Sequence, residues 1–101
     1  MKNIIETKKL LDKKYTLKEI SETRKLTEAV VSMQVESIIE FEPEIDISSL
    51  IDKGIYKEIV DEANKGFSSM KELKERLPSK ITYSQIRIVL AKHQATSEHF
   101  F

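Results

Sequence analysis

Apolar residues recur along this chain at helical spacing, in short runs separated by explicit start and stop signals. Over residues 3–14, Ile4, Thr7 and Leu11 share one face with Ile5 and Leu10 beside it, which predicts a first helix. Thr16-Leu-Lys-Glu19 is a capping box, in which the Thr16 hydroxyl accepts from the Glu19 amide and the Glu19 carboxylate reaches back. It opens a second helix that turns Leu17 and Ile20 inward and ends near Arg24. Thr27 caps a third helix running to about Glu40, with Val31, Val35, Ile38 and Ile39 as its buried stripe. Phe41-Glu-Pro43 stops it, because the residue before a proline is driven away from helical angles.

Ile45-Asp-Ile47 alternates, which predicts a very short extended piece. Ser48 or Ser49 then caps a helical turn through Leu50 and Ile51, interrupted by Gly54. A fourth helix is expected over residues 55–65, burying Ile55, Ile59 and Ala63, with Gly66 as its left-handed terminator. Ser69-Met-Lys-Glu72 is a second capping box, opening a helix that turns Leu73 and Leu77 inward before Pro78. Thr82-Tyr-Ser-Gln85 is a third, opening a last helix with Ile86, Val89 and Leu90 apolar. Past about Gln94 the pattern lapses, so residues 3–94 read as one domain and 95–101 as a loosely ordered tail. The fold class is all-α: a compact bundle of five or six short helices.

Composition narrows the functions open to such a bundle. The chain has 101 residues, enough for one core, and only two glycines and two prolines, too few for the turns of a sheet. With no cysteine, a disulfide framework, a thiolate metal site and a cysteine nucleophile are excluded, and a reducing compartment fits. There is no apolar run of membrane-spanning length and no signal-peptide core, so the expected location is cytoplasmic, or on the nucleoid if DNA-bound. His93 and His99 lie six apart, a spacing that makes no helical metal pair, and Gly54 and Gly66 stand alone rather than in a phosphate loop. Carboxylate pairs occur without any sign of a desolvated pocket to tune them. No catalytic residue, metal, cofactor or small-molecule ligand is indicated; the expectation is a binding module, not an enzyme.

Its net charge of zero hides three blocks. Residues 1–25 carry +4, residues 26–64 carry −8 and residues 65–101 carry +4. The stretch 17–39 has the layout of a helix-turn-helix: a capped helix, a short connection and a longer amphipathic helix, with Ser21 small at the crossing and Leu26 plugging the core after the turn. The expected exposed face of the third helix is Glu28, Ser32, Met33, Glu36, Ser37 and Glu40, with no Lys or Arg from Thr27 to Glu40 and Gln34 as the one amide able to read adenine. That disfavours sequence-specific reading by this helix.

Two binding modes therefore stay open. Lys8, Lys9, Lys13, Lys14, Arg24, Lys25, Lys80 and Arg87 are candidates for non-specific phosphate contact. Lys71, Lys74, Arg76 and Lys92 add to the same basic decoration, which ordinary Lys/Glu solvation such as a Lys71–Glu75 pair would also explain; Arg87 could instead pair with an acid of the middle block. The acidic helix, through Glu28, Ser32, Met33, Glu36 and Glu40, suits a basic protein partner.

TLKEISETRKLTEAVVSMQVESIIE, IDISSLID and SSMKELKERLPSKITYSQIRIVLAKHQ together resemble the helix-turn-helix domain at the C-termini of bacterial RecQ-type and Pif1-like DNA helicases, found also in a small helicase-associated protein. The resemblance covers residues 4–94 and is most specific in ITYSQIRIVLAKH, since an Ile-x-Tyr-x-x-Ile-Arg run is not demanded by amphipathicity. It implies a winged-helix/HRDC-like accessory domain that helps a helicase engage DNA, or docks on a RecQ-type helicase or repair factor. Lys14 and Lys25 stand where that family usually has glycines, and Val30-Val31 and Gln34-Val35 depart from its third helix.

Overall fold

The caps read from the sequence set where most helices begin. In a computed structural model, which describes residues 2–98, the chain forms six α-helices: α1 (Lys2–Asp12), α2 (Leu17–Arg24), α3 (Glu28–Phe41), α4 (Lys53–Ala63), α5 (Met70–Glu75) and α6 (Tyr83–Glu98). Both halves of the Thr16 box are made, and Thr27 accepts from the Val30 amide. At α6, the Gln85 amide donates to Thr82 and the Thr82 amide to the Gln85 side chain. Ser69 accepts from the Glu72 amide, but here the expected box is only half formed. The Glu72 carboxylate accepts instead from the Ser68 hydroxyl and amide, and these bonds hold its pKa below the usual carboxylate value.

α3 lies at the centre. It packs most extensively on α6, while α1 and α2 cover its opposite flank; α4 and α5 close over the far side of α6. Val31, Val35 and Ile39 from α3 meet Ile20, Ile59, Leu73 and Ile86 in a fully buried core. Truncating any of these to alanine would cost roughly 2–5 kcal/mol for the larger side chains, a large part of a small domain's stability. Ile88, which lies off the stripe expected for α6, is buried as well. A helix wrapped by α3, α4 and α5 buries more than one face, so its apolar pattern is broader than that of a surface helix.

The connection between α3 and α4 departs from expectation. Ile45-Asp46-Ile47 pairs into no strand among the described residues, and the turn after it is held by Asp46 rather than by either serine. Its carboxylate accepts from the Ser48 amide, and the Ile47 carbonyl accepts from the amides of Leu50 and Ile51, forming a single turn. Ile45, Ile47, Leu50 and Ile51 are all buried, so this loop is part of the core. Lys92 of α6 secures it by donating to the carbonyls of Pro43 and Ile45; desolvation there lowers the Lys92 pKa. Ser49 adds a bond to the Tyr15 carbonyl.

Asp52 caps α4 two residues earlier than expected, which places Gly54 inside the first turn instead of before it. A β-carbon at Gly54 would meet an Asp52 carboxylate oxygen at 3.0 Å, so glycine leaves room for the cap. Gly66, at φ +88°, takes the left-handed position expected of it. α6 continues past Gln94 to Glu98, with Ala95 packed on the core. His99, Phe100 and Phe101 of the expected tail lie outside the described residues. Among those described there is no β-hairpin, hence no wing.

Two further residues sit at positive φ without being glycine: Lys14 at 69° and Lys25 at 55°. This geometry costs an L-residue about 1 kcal/mol or more, which glycine avoids. Lys25→Gly is therefore expected to stabilise the domain by about 1 kcal/mol, raising the thermal midpoint by roughly 4–8 °C. Calorimetry of the variant measures this directly; an unchanged or lower midpoint would show that the αL strain does not exceed the conformational entropy glycine adds to the unfolded chain.

Candidate nucleic-acid interface

The junction of α2 and α3 is fixed by short-range bonds. At the end of α2, Lys25 adopts the left-handed conformation and its amide returns to the carbonyl of Glu22. The Leu26 amide donates to the Ser21 carbonyl, and the Ser21 hydroxyl donates back to the Leu26 carbonyl. Ser21 is thus more than a small residue at a crossing; it ties both ends of the turn. Leu26 drops against the core, and Thr27 starts α3.

A polar knot joins the three N-terminal helices. The buried Thr7 hydroxyl of α1 donates to the Gln34 side-chain oxygen of α3 and accepts from the Arg24 guanidinium of α2. Gln34, expected as the residue that could read adenine, is half-buried and bonded within the knot, and Arg24 is turned to the same place.

The outward face of α3 differs from the one expected. Ser32 is fully buried and donates to the Ala29 carbonyl, while Glu28 and Glu36 are only half-exposed. The buried residues Val31, Ser32, Val35, Ile38 and Ile39 occupy one side, so at 100° per residue the opposite side carries Val30, Met33, Ser37, Glu40 and Phe41. Met33 is 54% and Phe41 86% exposed. This strip is more apolar than acidic.

The chain matches, over residues 3–90, the model of the family described as helix-turn-helix domain, in keeping with its capped helix, left-handed turn residue and second helix. The chain belongs to that family. No curated protein and no solved structure matches it. Helix-turn-helix domains are in general DNA-binding, the second helix of the pair lying in the major groove.

In this helix-turn-helix domain, many of the candidate cations are already paired. Lys8 reaches Asp12 at 2.9 Å and Glu42 at 3.6 Å, and its pKa is raised chiefly by the bond to Asp12. Lys9 stands 3.7 Å from Glu6. Lys14 lies 2.8 Å from Asp46 and so links the α1–α2 turn to the α3–α4 loop. Arg87 donates to Glu36 at 2.8 Å, the structural role that its position left open, so that a candidate phosphate contact and a candidate partner contact satisfy one another. Arg76 donates to the carbonyls of Glu62 and Gly66 and pairs with Glu62 and Glu72, stapling α4 to α5.

The remaining lysines are differently placed. Lys13, Lys18, Lys25, Lys53, Lys71 and Lys80 are exposed and make no ion pair among the described residues; the Lys71–Glu75 pair that would have marked simple solvation is not formed. Lys74 lies over the Tyr83 ring, 5.8 Å from its centroid. Two groups stand out, one along the α1–α2 turn, α2 and the helix-turn-helix turn, the other at the α5–α6 corner, with Lys53 by itself at the start of α4. Tyr83 and Phe41 are exposed aromatic residues absent from the sequence-derived candidates. Beside α3, an open groove of about 810 Å³ is lined by residues that include Glu36, Glu40, Met70, Arg87 and Leu90. Among the described residues no three His, Cys, Asp or Glu side chains converge as metal ligands, and no helix is long and apolar enough to cross a membrane.

The Lys14–Asp46 link has a pH signature. The Lys14 ammonium, followed by the Ser48 amide, holds the Asp46 carboxyl well below its ordinary value of 3.8. A carboxylate depressed in the folded state contributes its stabilisation above the unfolded value and loses it as pH falls through the folded one. Asp46→Asn should therefore lower the urea midpoint near neutral pH, with the gap to the parent closing as pH drops below about 4. Urea titrations across that range test the link; a pH-independent gap would assign the loss to another cause.

Proposed function

We propose that this helix-turn-helix domain is a non-catalytic accessory module that holds DNA through its phosphates without reading sequence, in the service of a DNA helicase of the RecQ type. The observation that carries the phosphate reading is the distribution of unpaired cations. α3, the helix that would enter a groove, offers no Lys or Arg, whereas Lys13, Lys18 and Lys25 stand exposed along the edge of the helix-turn-helix. A surface of this kind gives affinity that falls steeply with salt and depends little on base sequence. The helicase part rests on the likeness of ITYSQIRIVLAKH and the surrounding segments to helicase C-terminal domains. Hydrolysis of nucleotide would lie in another domain or chain.

Fluorescence anisotropy with duplexes of unrelated sequence tests this. Parent protein should bind all of them alike. Lys13→Glu/Lys25→Glu should weaken binding and flatten the salt dependence by about one unit of slope for each phosphate that is no longer neutralised. Absence of binding even at low salt, or a strong preference for one sequence, would refute the proposal.

The outward strip of α3 supports a second reading, in which the same fold docks on a helicase or repair factor. Val30, Met33 and Phe41 span three turns of helix, with Glu40 at their edge and the α3–α6 groove beside it. Apolar anchors rimmed by carboxylate fit a basic amphipathic helix better than a phosphate backbone. Under this reading Met33→Ser/Phe41→Ser abolishes binding to a RecQ-type helicase in a titration by calorimetry and leaves DNA affinity intact. A change in DNA affinity with no change in helicase binding would reverse the assignment of the two surfaces.

A further inference from the structure

Tyr83 opens α6 with almost half of its surface in solvent, although the residues around it in sequence, Ile81, Ser84 and Ile86, are buried. Its backbone is rigidly placed: Thr82 and Gln85 exchange both bonds of a capping box on either side of it. A large aromatic ring is thereby presented from a fixed point of the bundle. What lies on it is the ammonium group of Lys74, 5.8 Å from the ring centroid.

Lys74 does not stand alone. Lys71 lies one turn earlier on the same short helix, and Lys80 is three residues before Tyr83 in the connection that leads into α6. Neither makes an ion pair among the described residues. The acidic residues of α5 only partly offset these charges: Glu75, exposed on the same helix, leaves three lysines facing one uncompensated carboxylate. Glu72 is occupied by Ser68 and Arg76, and Glu75 pairs with neither lysine. Three cations therefore sit in the two segments that flank one exposed aromatic ring.

We propose that Tyr83, Lys71, Lys74 and Lys80 form a binding site for single-stranded nucleic acid at the α5–α6 corner. An unpaired base stacks on the Tyr83 ring, displacing the Lys74 ammonium, which moves with Lys71 and Lys80 onto the adjoining phosphates. Every base has a flat face to offer, so such a platform tolerates any sequence. In a duplex both faces of each internal base are covered by its neighbours, and only the phosphates remain; the aromatic residue therefore selects the single strand. This assignment rests on the DNA-binding reading and adds to it a strand preference and a second contact surface, separate from Lys13 and Lys25.

Anisotropy titrations of the full chain with labelled oligothymidylate, oligouridylate and a duplex, at low and raised salt, test the site. Both single strands, or one of them, should bind more tightly than the duplex and quench tyrosine fluorescence; which one binds better identifies the preferred sugar. Tyr83→Ala should weaken single-strand binding roughly five- to hundredfold, the range of one lost base stack, with little effect on the duplex. Tyr83→Phe should keep the affinity, since the ring and not the hydroxyl does the stacking, and so separates loss of the platform from a folding defect. Lys71→Ala and Lys80→Ala should each reduce the salt dependence. Unchanged single-strand affinity in Tyr83→Ala, with parent and variant both binding, overturns the site and leaves the phosphate reading standing. No binding of any strand by the parent at low salt removes both.

Discussion

α3 is packed on two sides at once, by α1 and α2 on one and α6 on the other, and most of what this molecule can do follows from that constraint. A helix surrounded in this way commits Val31, Ser32, Val35, Ile38 and Ile39 to the core and most of its flanks to neighbours. Glu36 is drawn to Arg87 on the α6 side, and Gln34 to Thr7 and Arg24 on the α1–α2 side. Only a strip from Val30 to Phe41 is left for solvent. A helix-turn-helix in which the second helix is so enclosed has few side chains with which to read bases, and those it has are mainly apolar.

The same enclosure explains which parts of the fold are legible in the sequence. Caps are local: a hydroxyl and the amide three residues on either match or do not, and Thr16, Thr27, Ser69 and Thr82 all open helices as their spacing predicts. Inward stripes of amphipathic helices are equally clear at Leu17, Ile20, Val31, Val35 and Leu73, while Leu77, expected on the same helix as Leu73, is buried just past the end of α5. The α3–α4 connection is not. Its four buried aliphatics depend on Lys92, some forty-seven residues beyond Ile45, supplying donors to the loop carbonyls, and no local pattern encodes that bond. Ser32 and Glu36 depart from expectation for a simpler reason. The helical wheel drawn from Val31, Val35 and Ile39 puts Val30, Met33 and Phe41 opposite the core, so angle and not polarity decides which residues of α3 meet solvent.

For the candidate site, residue type is legible in the sequence and pairing is not. A lysine on an exposed helical face reads the same whether a carboxylate from another element meets it or not. Lys8 with Glu42, Lys14 with Asp46 and Arg87 with Glu36 are all contacts between segments distant in sequence, so tertiary structure alone separates these cations from Lys13, Lys25 and Lys80. Tyr83 is hidden for the opposite reason. It lies inside the most family-like stretch of the chain, where position alone assigns its ring to neither core nor surface; only the fold shows it turned outward beneath Lys74.

The charge blocks acquire a physical meaning from this sorting. The acidic middle block draws in basic residues from both ends of the chain: Lys8 and Lys14 reach Glu42 and Asp46, while Arg76 and Arg87 reach Glu62 and Glu36. Exposed pairs of this sort contribute little stability individually, typically below about 1 kcal/mol. Their larger effect is on where positive potential survives. Charge partly cancelled around the middle of the bundle leaves groups of unpaired lysines at the edge of the helix-turn-helix and at the α5–α6 corner, besides Lys53 at the start of α4, with the apolar strip of α3 as a chemically distinct surface. A neutral protein of this size can therefore present a phosphate-attracting face without the excess of basic residues by which nucleic-acid binders are usually recognised.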